Sequence, residues 1–283
     1  MLEATAIGQV RAWRRARAEE GRRVALVPTM GALHEGHLAL VDSARRLADA
    51  VAMSIFVNPL QFAPTEDLAR YPRNLARDRA LARDRGVDLL FVPDGEEMYP
   101  DGAAGTRILP GASAERWEGA VRPGHFAGVL TVVGKLFHIF EPDVACFGQK
   151  DIQQFTLIRQ MVRDLDWRVR LERVPTVREP DGLALSSRNL YLDETARAQA
   201  AGLSAALFAA RTAFAVGERR AERLLAAMHE RLAVFPGVSA EYIAVVEPEQ
   251  LRAVDIAEPG TIVAMAARVG TTRLIDNVIL GGE

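Results

Sequence analysis

Val24-Ala25-Leu26-Val27-Pro28-Thr29-Met30-Gly31-Ala32-Leu33-His34-Glu35-Gly36-His37 begins as a short apolar run, as a strand buried on both faces does, and ends in a glycine-containing turn that opens a helix. A strand entering a helix through such a turn is the start of a βαβ unit. Backbone N–H groups and the dipole at the helix start attract phosphate, and Gly31 and Gly36 permit close backbone approach. His34 and His37, three apart, fall on one face of the first helical turn and can donate to the same phosphate oxygens. Capping of the helix by one imidazole is the plain alternative. A zinc protease helix carries His-Glu-x-x-His, and His34-Glu35-Gly36-His37 is one residue short of it.

The same alternation extends outward from this segment. Runs at 24–27, 51–57, 89–92, 144–147 and 169–174 are apolar enough to be buried parallel strands. Between them, 36–49, 75–85, 128–140 and 151–165 carry apolar residues three and four apart, as amphipathic helices do. The pattern predicts an α/β fold: a doubly wound parallel sheet with ligands at the strand C-termini. After Asn189 it changes to two alanine- and arginine-rich helices, about 193–215 and 218–233. Short strands at 238–246, 261–268 and 272–280 follow. This predicts a smaller α+β domain with an antiparallel sheet, and a division between residues 1–176 and 177–283.

Composition narrows the function. The 283 residues carry 35 basic and 37 acidic side chains and a formal charge of -2, so no overall field draws the chain to nucleic acid or anionic lipid. With one cysteine, Cys146, the chain can form neither an internal disulfide nor a cysteine-built zinc site, which suits a reducing cytosol. Residues 1–21 lack the apolar stretch of a signal peptide and read as an amphipathic helix. A soluble, cytoplasmic protein with no membrane partner is expected. Lys135 and Lys150 are the only lysines in an arginine-rich chain, placed there either by chance or because a compact ammonium on a flexible stem is needed.

Other nucleotide signatures are absent. No G-x-G-x-x-G follows the first strand, Gly128 and Gly134-Lys135 are one residue too far apart for a P-loop, and no G-x-S-x-G occurs. Instead, Phe147-Gly148-Gln149-Lys150-Asp151-Ile152-Gln153-Gln154 repeats the strand-to-helix arrangement of the first motif. Lys150 can reach a polyphosphate, Asp151 can accept from ribose hydroxyls or cap the helix, and a following glutamine can bind a second substrate or lie on an exposed face. Further along, Arg178-Glu179-Pro180-Asp181-Gly182-Leu183-Ala184-Leu185-Ser186-Ser187-Arg188-Asn189 is a donor-rich loop, suited either to a phosphate clamp or to an interdomain linker. Gln61 can grip hydroxyl or carboxylate oxygens. Arg122 and His125 can neutralise a carboxylate, though a helix cap serves equally for His125. Glu66 and Asp67 can help position magnesium or pair with a helix dipole.

Taken in order, Pro28-Thr29-Met30-Gly31 with His34 and His37, Phe56-Val57-Asn58-Pro59 with Gln61 and Phe62, Tyr71-Pro72-Arg73, Arg122-Pro123-Gly124-His125-Phe126, Phe147-Gly148-Gln149-Lys150-Asp151 with Gln153-Gln154, Asp181-Gly182-Leu183-Ala184 with Ser186-Ser187-Arg188-Asn189, and Arg273-Leu274-Ile275-Asp276-Asn277 resemble the pantothenate synthetase (pantoate:β-alanine ligase) family. The resemblance covers nearly the whole chain. That family is similar in turn to nucleotidyltransferases and class I aminoacyl-tRNA synthetases, with a Rossmann-like ATP domain. Gln149 stands where many members carry Glu.

The resemblance implies condensation of (R)-pantoate with β-alanine through a pantoyl adenylate, at the expense of ATP with Mg2+, in coenzyme A biosynthesis. It implies an ATP- and pantoate-binding domain at 1–176, a C-terminal lid domain at 177–283 and a homodimer. Catalytic work falls to His34, His37, Lys150 and Arg188, with His37 as proton donor. ATP contacts fall to Met30, Gly31, His34, His37, Gly148, Gln149, Lys150, Asp151, Val177, Leu185, Ser186, Ser187 and Arg188. Gln61, Gln154, Met30 and Phe62 are implied for pantoate, and Gln61, Arg122 and His125 for β-alanine; the metal ligands stay open. The competing readings are a nucleotidyltransferase that stops at AMP transfer, an RNA-binding synthetase fragment, and an inactive nucleotide binder. The lack of a basic patch counts against RNA.

Overall fold

The computed structural model describes residues 1–62, 68, 71–102 and 105–282. In chain order the N-terminal elements are β1 (Leu2–Ala4), α1 (Ile7–Glu19), β2 (Val24–Thr29), α2 (Glu35–Leu47), β3 (Ala50–Ile55), α3 (Leu75–Asp84), β4 (Leu89–Phe91), α4 (Gly95–Met98), α5 (Glu118–Val121), α6 (His125–Phe140), β5 (Val144–Gly148), α7 (Ile152–Asp164) and β6 (Arg170–Val174). After them come α8 (Glu194–Ala215), α9 (Ala221–Leu232), β7 (Val238–Val246), β8 (Ile262–Val269) and β9 (Thr272–Ile279). The chain divides into two compact units. The first comprises Met1–Glu115, Gly119–Gly148 and Leu157–Pro175; the second comprises Arg116–Glu118, Gln149–Thr156 and Thr176–Glu283.

In the first unit the six strands form one parallel sheet in the order β1-β4-β3-β2-β5-β6. The chain enters the middle at β2, moves outward through β3 and β4, and resumes on the other side at β5. Strand order therefore reverses between β2 and β5, the place where open α/β sheets bind ligands at their carboxyl edge. The register Val24↔Ala50 to Thr29↔Ile55 brings two strands side by side that are apolar apart from Thr29 and Ser54. Val27, Met53, Leu90 and Cys146 meet Leu33, Val41 and Ala44 in one buried cluster, so α2 is anchored by its apolar face and its first turn is fixed against the sheet.

The second unit carries an antiparallel sheet, β7-β8-β9, with a core in which Leu203, Leu207 and Phe214 of α8 and Leu224 and Met228 of α9 meet Val263, Met265, Leu274 and Val278. Along β9 Thr272, Leu274, Asp276, Asn277 and Val278 are buried, and Arg273, Ile275 and Ile279 are half-exposed.

The fold class is as the alternation predicts, and most helix and strand ends fall within three residues of the expected ones. Three differences have local causes. Residues 1–21 are not one helix: Leu2–Ala4 pair with β4 from Leu2↔Leu89 to Ala4↔Phe91, and Gln9 Oε1 accepts from Thr5 N and Ala6 N to start α1 later. A three-residue strand is too short to display a period. Helix α6 begins at His125 rather than 128, because Gly124 turns left-handed at φ 80. Helix α9 begins at Ala221 rather than 218, because the Glu218 carboxylate accepts from Arg219 N and Arg220 N and holds them outside the helix. Among the described residues no helix is long and apolar enough to cross a membrane.

Candidate active site

In the first unit the site begins where β2 ends. Thr29 Oγ1 donates to Ser54 O (2.8 Å) and accepts from Gly31 N (3.2 Å), fixing the exit from the strand. Gly31 and Ala32 are both left-handed, at φ 84 and 52. Ala32 holds that conformation because the carboxylate of Asp78, 1% exposed, accepts from Ala32 N (2.9 Å) and Leu33 N (2.8 Å). His34 then caps α2, its Nδ1 accepting from Gly36 N (3.1 Å), while His37 Nδ1 accepts from His34 N (3.4 Å). A ring nitrogen that accepts carries no proton, so each neutral imidazole has its proton on Nε2. The ring centroids stand 4.1 Å apart. Two N–H donors so close, at a helix N-terminus, suit the oxygens of one phosphoryl group. Capping uses Nδ1 of His34, whereas a ligand-binding role would use the opposite ring nitrogen.

Gln61 ends a tight turn, Pro59–Gln61, after β3. Its Oε1 accepts from Asn58 Nδ2 (3.0 Å), and its Nε2 points to Met30 Sδ (3.1 Å). Asn58, 1% exposed, also donates to Gly128 O (3.1 Å) and accepts from Leu60 N and Tyr99 Oη. His125 Nδ1 donates to Gln61 O (2.8 Å), and Arg122 donates to His125 Nε2 (3.0 Å). Gln61, Met30, Arg122 and His125 are thus brought together. Gly128 sets the approach of α6: a Cβ there would lie 2.1 Å from Leu60 O. Phe62 stacks edge-on to Tyr71 at 6.1 Å.

Gly148 ends β5 in the first unit, and the second unit holds the other candidates. Lys150 lies in a single 3-10 turn, Gln149–Asp151, with its ammonium 4.0 Å from the Asp151 carboxylate. Val177 and Leu185 pair across a hairpin through Leu185 N to Val177 O (2.9 Å), and Gly182 turns it at φ 93. Ser186 caps the turn Ser187–Tyr191, its Oγ accepting from Arg188 N (3.2 Å). Arg188 is exposed, whereas Ser186, Ser187 and Gln154 are half-buried. Asp181 pairs with Arg197, whose hydrogen bond holds the carboxyl below the usual range.

Gln153, 6% exposed, is not an open face residue. Its amide accepts from Glu118 N (3.0 Å) and donates to Arg116 O (2.9 Å). Glu118 in turn accepts two bonds from Arg273 (2.6 and 2.8 Å) and one from Tyr242. Burial works against the Arg273 charge, but Glu118 and Glu241 more than offset it and hold its proton more tightly.

Sequence reasoning missed Asn58, Asp78, Gly128 and the supporting roles of Gln153, Asp276 and Asn277. Polar residues inside helical or strand patterns, such as Asp78 within 75–84 and Asp276-Asn277 within β9, are the signal that marks them: a polar side chain on a core face needs a partner. Glu66 and Asp67 lie outside the described residues. Among the described residues no group of three or more His, Cys, Asp or Glu is arranged to hold a metal ion.

A sequence model of the pantoate-beta-alanine ligase family matches residues 3–279. Pantothenate synthetase of Chloroflexus aurantiacus is 56% identical over 258 residues, 91% of this chain and 92% of that one. Pantothenate synthetase of Mycolicibacterium smegmatis is 53% identical over 277 residues, covering 98% and 86%. The crystal structure of pantothenate synthetase from Thermus thermophilus aligns with TM-score 0.92 at 48% identity over 99% of both chains. Pantoate-beta-alanine ligase of Francisella tularensis, crystallised with beta-gamma ATP and beta-alanine, aligns at TM-score 0.79 and 34% identity, covering 99% and 97%. The chain belongs to the pantoate-beta-alanine ligase family, the pantothenate-forming, amide-bond-making ligases.

Proposed function

We propose that this chain joins (R)-pantoate to β-alanine in two half-reactions. In the first, a carboxylate oxygen of pantoate attacks the α-phosphorus of ATP, and the bond to the bridging oxygen breaks, so pyrophosphate leaves with the electron pair. In the second, the β-alanine amine attacks the pantoyl carbonyl carbon, the acyl C–O bond breaks and AMP leaves, with the amine proton lost to solvent or to the departing phosphate. A free amine is already nucleophilic, so the second step needs positioning more than a base.

The observation that carries this reading is the pair of imidazoles at the start of α2, each with its Nδ1 engaged by a backbone N–H. Charge spreads over phosphoryl oxygens in the first transition state, and each fixed donor there contributes about 3 kcal/mol by analogy with oxyanion donors. His34 and His37 supply two such donors, with the His37 Nε2–H donating a hydrogen bond toward the leaving group. Lys150, Ser186, Ser187 and Arg188 bind the remaining phosphate oxygens. Gly31, Gly148, Gln149, Asp151, Val177 and Leu185 hold the nucleoside and backbone-facing parts of ATP. Gln61 and Gln154 take the pantoate hydroxyls and carboxylate, with Met30 and Phe62 against its geminal methyls. Gln61, Arg122 and His125 orient the β-alanine carboxylate.

Mg2+ enters as part of the ATP substrate, bound to phosphate oxygens, as the ion commonly is in nucleotide sites. Residues 177–283 act as a lid that shields the adenylate from water. A homodimer in the cytoplasm completes the reading, which rests there on family resemblance. The test is product analysis. Pyrophosphate should form from ATP, Mg2+ and pantoate alone, in an amount near one per active site, while AMP and pantothenate accumulate only once β-alanine is added. Absence of pantoate-dependent pyrophosphate from folded protein would refute the first half-reaction.

A further inference from the structure

Asn277 on β9 is 1% exposed, and its Nδ2 donates to two consecutive backbone carbonyls, Gln149 O at 2.9 Å and Lys150 O at 3.0 Å. Those carbonyls belong to the turn that carries Lys150. An asparagine amide has two N–H hydrogens on one nitrogen, so a single side chain satisfies both acceptors and fixes the turn in rotation as well as in position. Its neighbour Asp276, 3% exposed, accepts from Asn277 N (2.7 Å) and from both arms of Arg178 (2.6 and 2.9 Å). Arg178 donates further to Gly182 O (3.0 Å) and Asn277 O (3.2 Å). Two adjacent residues of one strand therefore fasten both the lysine turn and the hairpin at 177–185.

We propose that Asn277 is a positioning residue that aims Lys150 at the phosphates of ATP, with the Asp276–Arg178 pair bracing it and tying the lysine turn to the hairpin that leads into Ser186-Ser187-Arg188. The inference rests on the reading of Lys150 as a phosphate ligand. Asn277 touches no substrate and acts through Lys150. Burial pushes the Asp276 carboxyl upward, against the pull of Arg178, the Asn277 N–H and the Lys150 charge, consistent with a brace whose parts depend on one another.

The test is a double-mutant cycle on steady-state pyrophosphate release with ATP, Mg2+, pantoate and β-alanine, using the full chain, with thermal unfolding to establish that each variant is folded. Asn277→Ala should lower kcat by about 10- to 100-fold, the range expected when a catalytic group is displaced by about 1 Å, with KM for pantoate within about twofold. Lys150→Ala should lower kcat at least as much. In the Lys150→Ala background, Asn277→Ala should then cost less than about threefold more, because the group it positions is gone. An equal loss in both backgrounds, or a wild-type kcat in Asn277→Ala, overturns the proposal. If Lys150→Ala itself retains wild-type kcat, the phosphate role of Lys150 fails and the inference falls with it, an outcome distinct from failure of Asn277 alone. Should Asn277→Ala not fold, Asn277→Ser, which keeps one donor, takes its place with the same outcomes.

Discussion

His37 is the residue on which the proposed first half-reaction turns. Its Nδ1 takes the His34 N–H, so Nε2 carries the proton, and a donor that strengthens only as the transition state forms affects kcat more than KM. His37→Ala is expected to lower kcat for pyrophosphate release by about 100-fold or more, the loss seen for a single fixed donor, with thermal unfolding little changed. An unaltered rate would remove His37 from the chemistry. Asp78 supports the same turn from below. In Asp78→Asn one carboxylate oxygen becomes an NH2 facing a backbone N–H, so either Ala32 N or Leu33 N loses its acceptor at a cost of about 1–3 kcal/mol. Thermal melts and ATP-dependent kinetics together should show lower stability and a raised KM for ATP. The histidines were legible in the sequence because a strand, two glycines and a helix start surround them. Asp78 was not, since its partners lie 45 and 46 residues away and nothing local announces them.

Helix α6 illustrates how an element delivers a site residue it does not contain. Its glycine at 128 lets the backbone of Leu60 and Gln61 approach, and Asn58 then ties that turn to Gly128 O. Gly128→Ala forces a methyl into backbone at 2.1 Å, so a loss of about 3 kcal/mol, at the upper end of overpacking costs, is expected. A lowered urea midpoint accompanied by weaker use of pantoate would bear this out; unchanged stability would mean that α6 does not set the Gln61 turn. The periodicity of 128–140 revealed the helix but not its true start, because a left-handed Gly124 leaves no apolar signature. The strands at 24–29 and 144–148 were readable for the opposite reason: parallel strands buried on both faces are uninterrupted apolar runs.

At the scale of the molecule, the first unit has an alkaline weakness that follows from what it buries. Cys146, fully buried in β5, has its thiol pushed by burial from 9.0 up to about 12, and burial raises Tyr99 as well. Above about pH 9 the unfolded chain gives up a thiol proton that the folded chain retains, so fewer protons are bound in the unfolded state and stability falls as pH rises toward 12. Urea midpoints should hold steady below pH 9 and decline above it, and Cys146→Ala should flatten part of that decline; an identical decline in the variant would assign it elsewhere. Charge balance and a single cysteine were read from composition alone, whereas the paired supports on β9 needed the three-dimensional register. The central claim, that pantoate is activated as an acyl adenylate, is tested most directly with pantoate labelled with 18O in both carboxylate oxygens. One 18O is expected in the phosphate of AMP and one retained in the amide carbonyl of pantothenate. AMP free of label, with 18O appearing in pyrophosphate or water, would contradict it.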